Sequence, residues 1–148
     1  PRDDLSGKDF ARKLLILARE MGIPMREEEV EVESLIPKGC ESAATPEEFL
    51  KQLEGHDAEF EKLAAAAAGS GKVIRYIGRV EGRRAAVSMQ TVDALHPFYS
   101  LSGSDNIVSF TTKRYFDRPL VVKGPGAGVE VTAAGVLADI IRAASYLQ

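Results

Sequence analysis

From Asp9 onward the apolar residues return with a helical period: Phe10, Ala11, Leu14, Leu17, Ala18 and Met21 gather on one side at 3.6-residue spacing. A helix patterned this way has to bury one face, which restricts the chain to folds that offer it a sheet or a second helix. Ser6, three residues ahead of Asp9, reads as a hydroxyl cap with an acid in the first turn. Asp9 and Lys13, four apart, share the edge opposite the apolar face, and Asp3 and Asp4 sit in the loop feeding the helix mouth. Three acids and a lysine thus meet where a helix built for burial begins. Spacing alone leaves two readings open. A surface Asp–Lys pair contributes ~0.3–0.5 kcal/mol and completes a cap; the same groups facing a pocket are a place for chemistry.

Beyond that helix, Gly22-Ile-Pro24 is a stop signal. Residues 29–36 alternate strictly, with Val30 and Val32 on one face and Glu29, Glu31 and Glu33 on the other, which predicts a half-buried strand with a solvated acidic face. Residues 37–44 form a loop, and Cys40 within it has no nearby histidine to activate it. Thr45-Pro-Glu-Glu48 opens a helix running to Gly55, and a second runs from about Asp57 to Gly69. Gly69-Ser-Gly-Lys72 echoes a phosphate-binding loop, but the leading glycine is absent and Val73 replaces the magnesium-binding hydroxyl, so it is a helix stop. Residues 72–80 and 84–92 read as a hairpin turning at Glu81-Gly82, and 107–112 and 119–123 as two more strands. His96 and His56 lie too far apart for metal-ligand spacing, so no metal site is expected. The last helix, 131–147, confines Thr132, Asp139, Arg142 and Tyr146 to one stripe and is apolar elsewhere, so it wants neighbours on more than one side.

These elements predict an α+β fold: a mixed, largely antiparallel sheet covered by helices on one face. At 148 residues the chain suits one domain. A net charge of -3 argues against a nucleic-acid partner, no uncharged apolar run is long enough for a bilayer, and a single cysteine fits a reducing compartment. The opening on Pro1, inside a motif and without a methionine, suggests a piece of a longer protein.

Pro1-x-x-Asp4-Leu5-x-Gly7-x-Asp9-x-x-x-Lys13 resembles the signature of homoserine dehydrogenases, and Lys123-Gly-Pro-Gly-Ala-Gly128-x-x-Val131-Thr-Ala-Ala-Gly135 resembles that family's C-terminal motif. His96-Pro-Phe98 and residues 103–115 are similar to it as well, nearest to the bifunctional enzymes fused to an aspartate kinase. The resemblance covers residues 1–148 and implies the substrate-binding and catalytic domain of such an enzyme, without the N-terminal dinucleotide-binding domain. It implies interconversion of L-homoserine and L-aspartate 4-semialdehyde with NAD or NADP, on the route to threonine, methionine and isoleucine. It implies Lys13 as the proton donor, Asp9 and Asp4 as substrate ligands, and Gly128 and Gly126 as backbone contacts near the nicotinamide. It further implies a homodimer in the cytoplasm, or in a plastid if the parent is from a plant, with the last helix returning to the cofactor domain. The chain alone is then expected to be inactive. The competing expectation is a non-catalytic oligomerisation or amino-acid-binding module of the same fold.

Overall fold

A single helical turn, α1 (Arg2–Leu5), opens the chain, and after Ser6 and Gly7 the backbone continues as α2 (Lys8–Glu20). The computed structural model describes residues 2–147, so Pro1, with which the N-terminal motif begins, lies outside the described residues. Asp3 and Asp4 therefore sit on a helical turn and not in a loop, a correction to the sequence reading. Nor does Ser6 cap α2. Gly7 takes that position at φ 75°, in the left-handed region that glycine enters without penalty. The Ser6 hydroxyl spans the joint instead, donating to the Asp3 carbonyl at 2.7 Å and accepting from the Lys8 amide at 3.3 Å. The joint is also crowded: a Cβ on Gly7 would overlap Tyr76 Oη and lie 2.7 Å from Val32 Cγ1.

The buried face of α2 is Ala11, Leu14, Leu15 and Ala18, an i, i+3, i+4, i+7 set. It is rotated from the expected face: Leu15 points inward, whereas Leu17 and Met21 are exposed. Gly22, at φ 79°, ends the helix, and the Gly22 and Ile23 amides close onto the Arg19 and Ala18 carbonyls at 2.9 and 3.0 Å.

The acidic strand is shorter than its alternation implies. Residues Glu27–Glu29 form a 3-10 turn, held by the Glu29 carboxylate accepting from the Arg26 amide at 2.7 Å, and only Val30–Val32 is strand β1. Past Val32 the Glu33 carboxylate accepts the Met89 amide at 2.8 Å, taking a place where a longer strand would have offered a carbonyl. Val32 is exposed, not buried with Val30.

The helices α3 (Pro46–Glu54) and α4 (Asp57–Gly69) follow as the sequence predicts, with Thr45 Oγ1 accepting the Glu48 amide at 3.2 Å. Phe49, Cys40 and Ala43 make a small core against which Leu5, Ile36 and Leu53 pack. Burial keeps the Cys40 thiol out of solvent. Residues 69–72 are indeed a helix stop: Gly71 sits at φ 66°, and the Gly71 and Lys72 amides reach the Ala68 and Ala67 carbonyls, each at 2.9 Å.

Strands β2 (Val73–Glu81) and β3 (Arg84–Val92) form the hairpin, and β1 joins β3 in parallel, giving the order β1-β3-β2. Val30, Val87 and Ala85 receive the α2 face, with Tyr76 and Val80 packed beside them. Ile74, Tyr76 and Gly78 alternate onto that same face, so α4, packed on β2 beside Ile74, covers the side that α2 covers. At Gly78 a Cβ would stand 3.1 Å from Leu14 Cδ1, so the missing side chain is what lets α2 sit down on β2.

All of this lies in the first of two units, residues Pro1–Asp93; the second is Ala94–Gln148. There β4 (Asp105–Phe110) and β5 (Leu120–Pro125) pair as a separate antiparallel ribbon, where the sequence reading had one sheet. The last helix, α5 (Val129–Ser145), has no buried residue; Val136, Leu137, Ile140 and Ile141 are all exposed. His96 is structural: its Nδ1 accepts the Phe98 amide at 3.1 Å, and its ring meets Phe98 edge-on.

Two predictions follow from the Gly7 joint. Gly7→Ala should lower unfolding free energy by roughly 2–4 kcal/mol, since it adds overpacking to a left-handed φ. Gly82→Ala, also at positive φ (58°) but with open space around it, should lose only the conformational part, about 1–2 kcal/mol. Urea midpoints compare the two; equal losses would mean that crowding at Gly7 is immaterial. Burial, aided by the Glu33 charge, raises the Tyr76 phenol above its ordinary value. The folded state therefore holds that proton more tightly than the unfolded chain does. Stability is then full below pH ~10 and declines as pH rises through the folded value, and Tyr76→Phe should flatten the decline in alkaline melting curves.

Candidate functional site

The mouth of α2 gathers the predicted polar residues of the first unit. Helical geometry sets Lys13 one turn beyond Asp9, and Lys13 Nζ lies 2.7 Å from Asp9 Oδ2. Both side chains stay in solvent, 66% exposed for the lysine and 56% for the aspartate. Asp4 stands on α1, on the far side of the Gly7 joint, and is exposed as well. The direction of one acid relative to the other is therefore set by the backbone at Ser6 and Gly7.

That joint is held from two sides. On one, Leu5 packs against the Phe49 core, while the Arg2 guanidinium donates to the Ala43 carbonyl and lies over the Phe49 ring, 5.4 Å from its centre. On the other, the Leu35 amide donates to the Leu5 carbonyl at 2.8 Å and the Tyr76 hydroxyl donates to the Glu33 carbonyl at 2.5 Å. The Phe10 ring, on the first turn of α2, meets Tyr76 with centroids 5.6 Å apart. Tyr76 was not marked by the sequence reading. Its position is sixty-nine residues beyond Gly7, and its only sequence trace is an aromatic on the inward side of a strand.

Ile16, one turn past Lys13 on α2, is 59% exposed, so the lysine has an open apolar neighbour on its own helix. The sequence pattern alone does not single out Ile16.

In the second unit, β5 leads through Gly126 and Gly128 into α5. Gly126 is a packing glycine: a Cβ there would overlap the Asn106 side chain, and its amide donates to the Ser104 carbonyl at 3.2 Å. Gly128 differs. It sits at φ 143°, with nothing nearer a would-be Cβ than Val131 Cγ2 at 4.0 Å, and it precedes a seventeen-residue helix whose first amides lack helical partners. Such a helix start accepts an anionic or carbonyl group that approaches the backbone. The strand-turn-helix is not a dinucleotide fingerprint, since its glycines are spaced G-x-G-x-G. Among the described residues no group of three or more His, Cys, Asp or Glu is placed to hold a metal, and no helix is long and apolar enough to cross a membrane.

Comparison with known proteins gives this geometry its context. The family model of homoserine dehydrogenase matches residues 1–141. The chain is 48% identical to the chloroplastic bifunctional aspartokinase/homoserine dehydrogenase 1 of Arabidopsis thaliana, over 99% of this chain and 16% of that protein. It is also 48% identical to the homoserine dehydrogenase of Schizosaccharomyces pombe, over 100% of this chain and 40% of that one. A crystal structure of a Candida auris protein of unknown function superposes with a TM-score of 0.87 at 48% identity, over 98% of this chain and 41% of that chain. The chain thus spans less than half the length of each of these proteins. With the family model covering nearly all of it, the chain belongs to the homoserine dehydrogenase family.

Proposed function

We propose that this chain is the substrate-binding and catalytic domain of an enzyme that interconverts L-homoserine and L-aspartate 4-semialdehyde with NAD or NADP. The observation that carries the proposal is the Lys13–Asp9 pair at 2.7 Å on the mouth of α2, in a chain of this family. The nicotinamide, when bound, supplies or accepts the hydride. The chain's own residues handle everything else. Reduction of the semialdehyde leaves negative charge on the carbonyl oxygen, and a proton delivered there removes it. Lys13 is the proton donor in that direction and the acceptor in the other. The substrate's α-ammonium needs an anionic partner, and Asp9 with Asp4 provides it across the Gly7 joint. The Gly128 backbone, with Gly126 beside it, borders the nicotinamide.

A main cofactor domain outside these residues is part of the proposal, and the reading is supported by the lack of a dinucleotide-binding G-x-G-x-x-G strand-turn-helix among the described residues. The whole enzyme is proposed to be a homodimer, working in the cytoplasm or, in a plant, in the plastid. The exposed apolar face of α5 fits a helix that meets further protein.

In the complete enzyme, Lys13→Ala should lower kcat by about 10²–10⁴-fold with little change in KM. A mild effect would favour the non-catalytic amino-acid-binding module, for which the exposed pair is only a surface ion pair. Asp9→Asn should raise KM for the amino-acid substrate, yet shift unfolding free energy by no more than ~0.5 kcal/mol, because the pair is solvent-exposed. A larger stability loss would mean that the pair is structural. The 148-residue chain by itself should oxidise no NADPH in the presence of the semialdehyde; measurable turnover would show that no further domain is needed.

A further inference from the structure

The residues proposed to act are exposed, yet one of the groups that hold the backbone carrying them is a side chain outside every motif. We propose that Tyr76 is a positioning residue for the reaction, fixing through Gly7 the direction in which α2 presents Asp9 and Lys13. The inference rests on the proposed function of Lys13.

Three contacts carry it. The Tyr76 hydroxyl donates to the Glu33 carbonyl at 2.5 Å, which pins the ring at the edge of the sheet. With the ring pinned there, its oxygen fills the space that a Cβ on Gly7 would need, so the backbone between α1 and α2 rests against it. The same ring touches Phe10, on the first turn of α2 between Asp9 and Lys13. Glu33 is itself held twice more, its amide donating to the Val87 carbonyl at 2.9 Å and its carboxylate accepting the Met89 amide at 2.8 Å. The oxygen that accepts the Tyr76 hydrogen bond is therefore a fixed point of the sheet. Removing only the hydroxyl leaves the ring and its apolar burial but releases the tie and opens a gap over Gly7. The helix mouth can then shift by the few tenths of an ångström that separate a well-placed proton donor from a poor one.

The test is a double-mutant cycle in the complete enzyme. Tyr76→Phe should lower kcat about five- to tenfold, the scale of one lost hydrogen bond expressed in the transition state, while KM for the dinucleotide stays unchanged. In the Lys13→Ala background the same change should have no effect on kcat, because the donor that Tyr76 aims is gone. A full kcat for Tyr76→Phe, or the same fold-loss with and without Lys13, overturns the positioning role and leaves the Lys13 assignment standing. An unimpaired Lys13→Ala overturns the proposed function and this inference with it. Should Tyr76→Phe yield too little folded enzyme, Phe10→Leu loosens the ring contact and keeps the hydroxyl. It should then show a kcat loss that vanishes with Lys13, and an equal loss in both backgrounds overturns the proposal.

Discussion

The Tyr76 hydroxyl and a Val32 methyl close over the α-carbon of Gly7, and the path of the chain from α1 into α2 is set by that contact. Two independent demands meet at one residue. The backbone turns through φ 75°, which costs an L-residue with a side chain roughly 1–2 kcal/mol, and the space above it admits no Cβ at all. Either demand alone could be met by local adjustment: asparagine tolerates the angle, and a shifted ring would admit a methyl. Together they leave glycine. The signature Asp4-Leu5-x-Gly7-x-Asp9 thereby acquires a structural reason for its central residue that is distinct from the chemistry of its acids.

Strand β2 meets α2 at two points. Tyr76 and Gly78 are two residues apart and so face the same side, one projecting and the other absent. The helix comes to rest with Leu14 over Gly78 and its start under Tyr76, while Ala11, Leu15 and Ala18 fill the space toward Val30, Ala85 and Val87. Two small alanines on the helix and a glycine on the strand allow close approach, and close approach is what brings the Tyr76 oxygen within reach of the Gly7 backbone. The packing of the helix body and the geometry of its mouth are thus one arrangement. A core substitution that lifted α2 from the sheet would be felt at Asp9 and Lys13 without touching either.

How much of this was legible in the sequence depends on whether the deciding force was local. Helix ends were: Thr45 with Pro46, Gly22 and Gly71 each act through their own backbone, and the structure has them where the residues suggest. The hairpin at Gly82 is equally local. The strand over residues 29–36 failed for a tertiary reason, since the Glu33 side chain takes the Met89 amide and ends the ladder, and no alternation pattern records that. The buried face of α2 was read partly on the wrong side because Leu15 and Leu17 flank Ala11, Leu14 and Ala18 on opposite sides, and only the sheet decides between them. Of the polar cluster, the Asp9–Lys13 contact could be read from spacing, because an i,i+4 pair needs no partner element. Gly7 as the cap, and Tyr76 above it, could not, because the contact joins residues far apart in sequence.

The solvent around Lys13 bears on the proposed chemistry. In water an ion pair of this kind is held by well under 1 kcal/mol, so the lysine can exchange Asp9 for a substrate oxygen at little cost. Buried at the same 2.7 Å, the pair would be bound several times more strongly, and the ammonium would be slow to leave its carboxylate for a neutral carbonyl. An open mouth therefore suits a lysine that must turn from one partner to another. Enclosure is useful only afterwards, when the charge developing on the substrate oxygen gains from a dry surrounding. Ile16, exposed one turn past the lysine, loses nothing on drying, so a surface laid over it would leave the polar groups at the mouth to find their partners in the substrate.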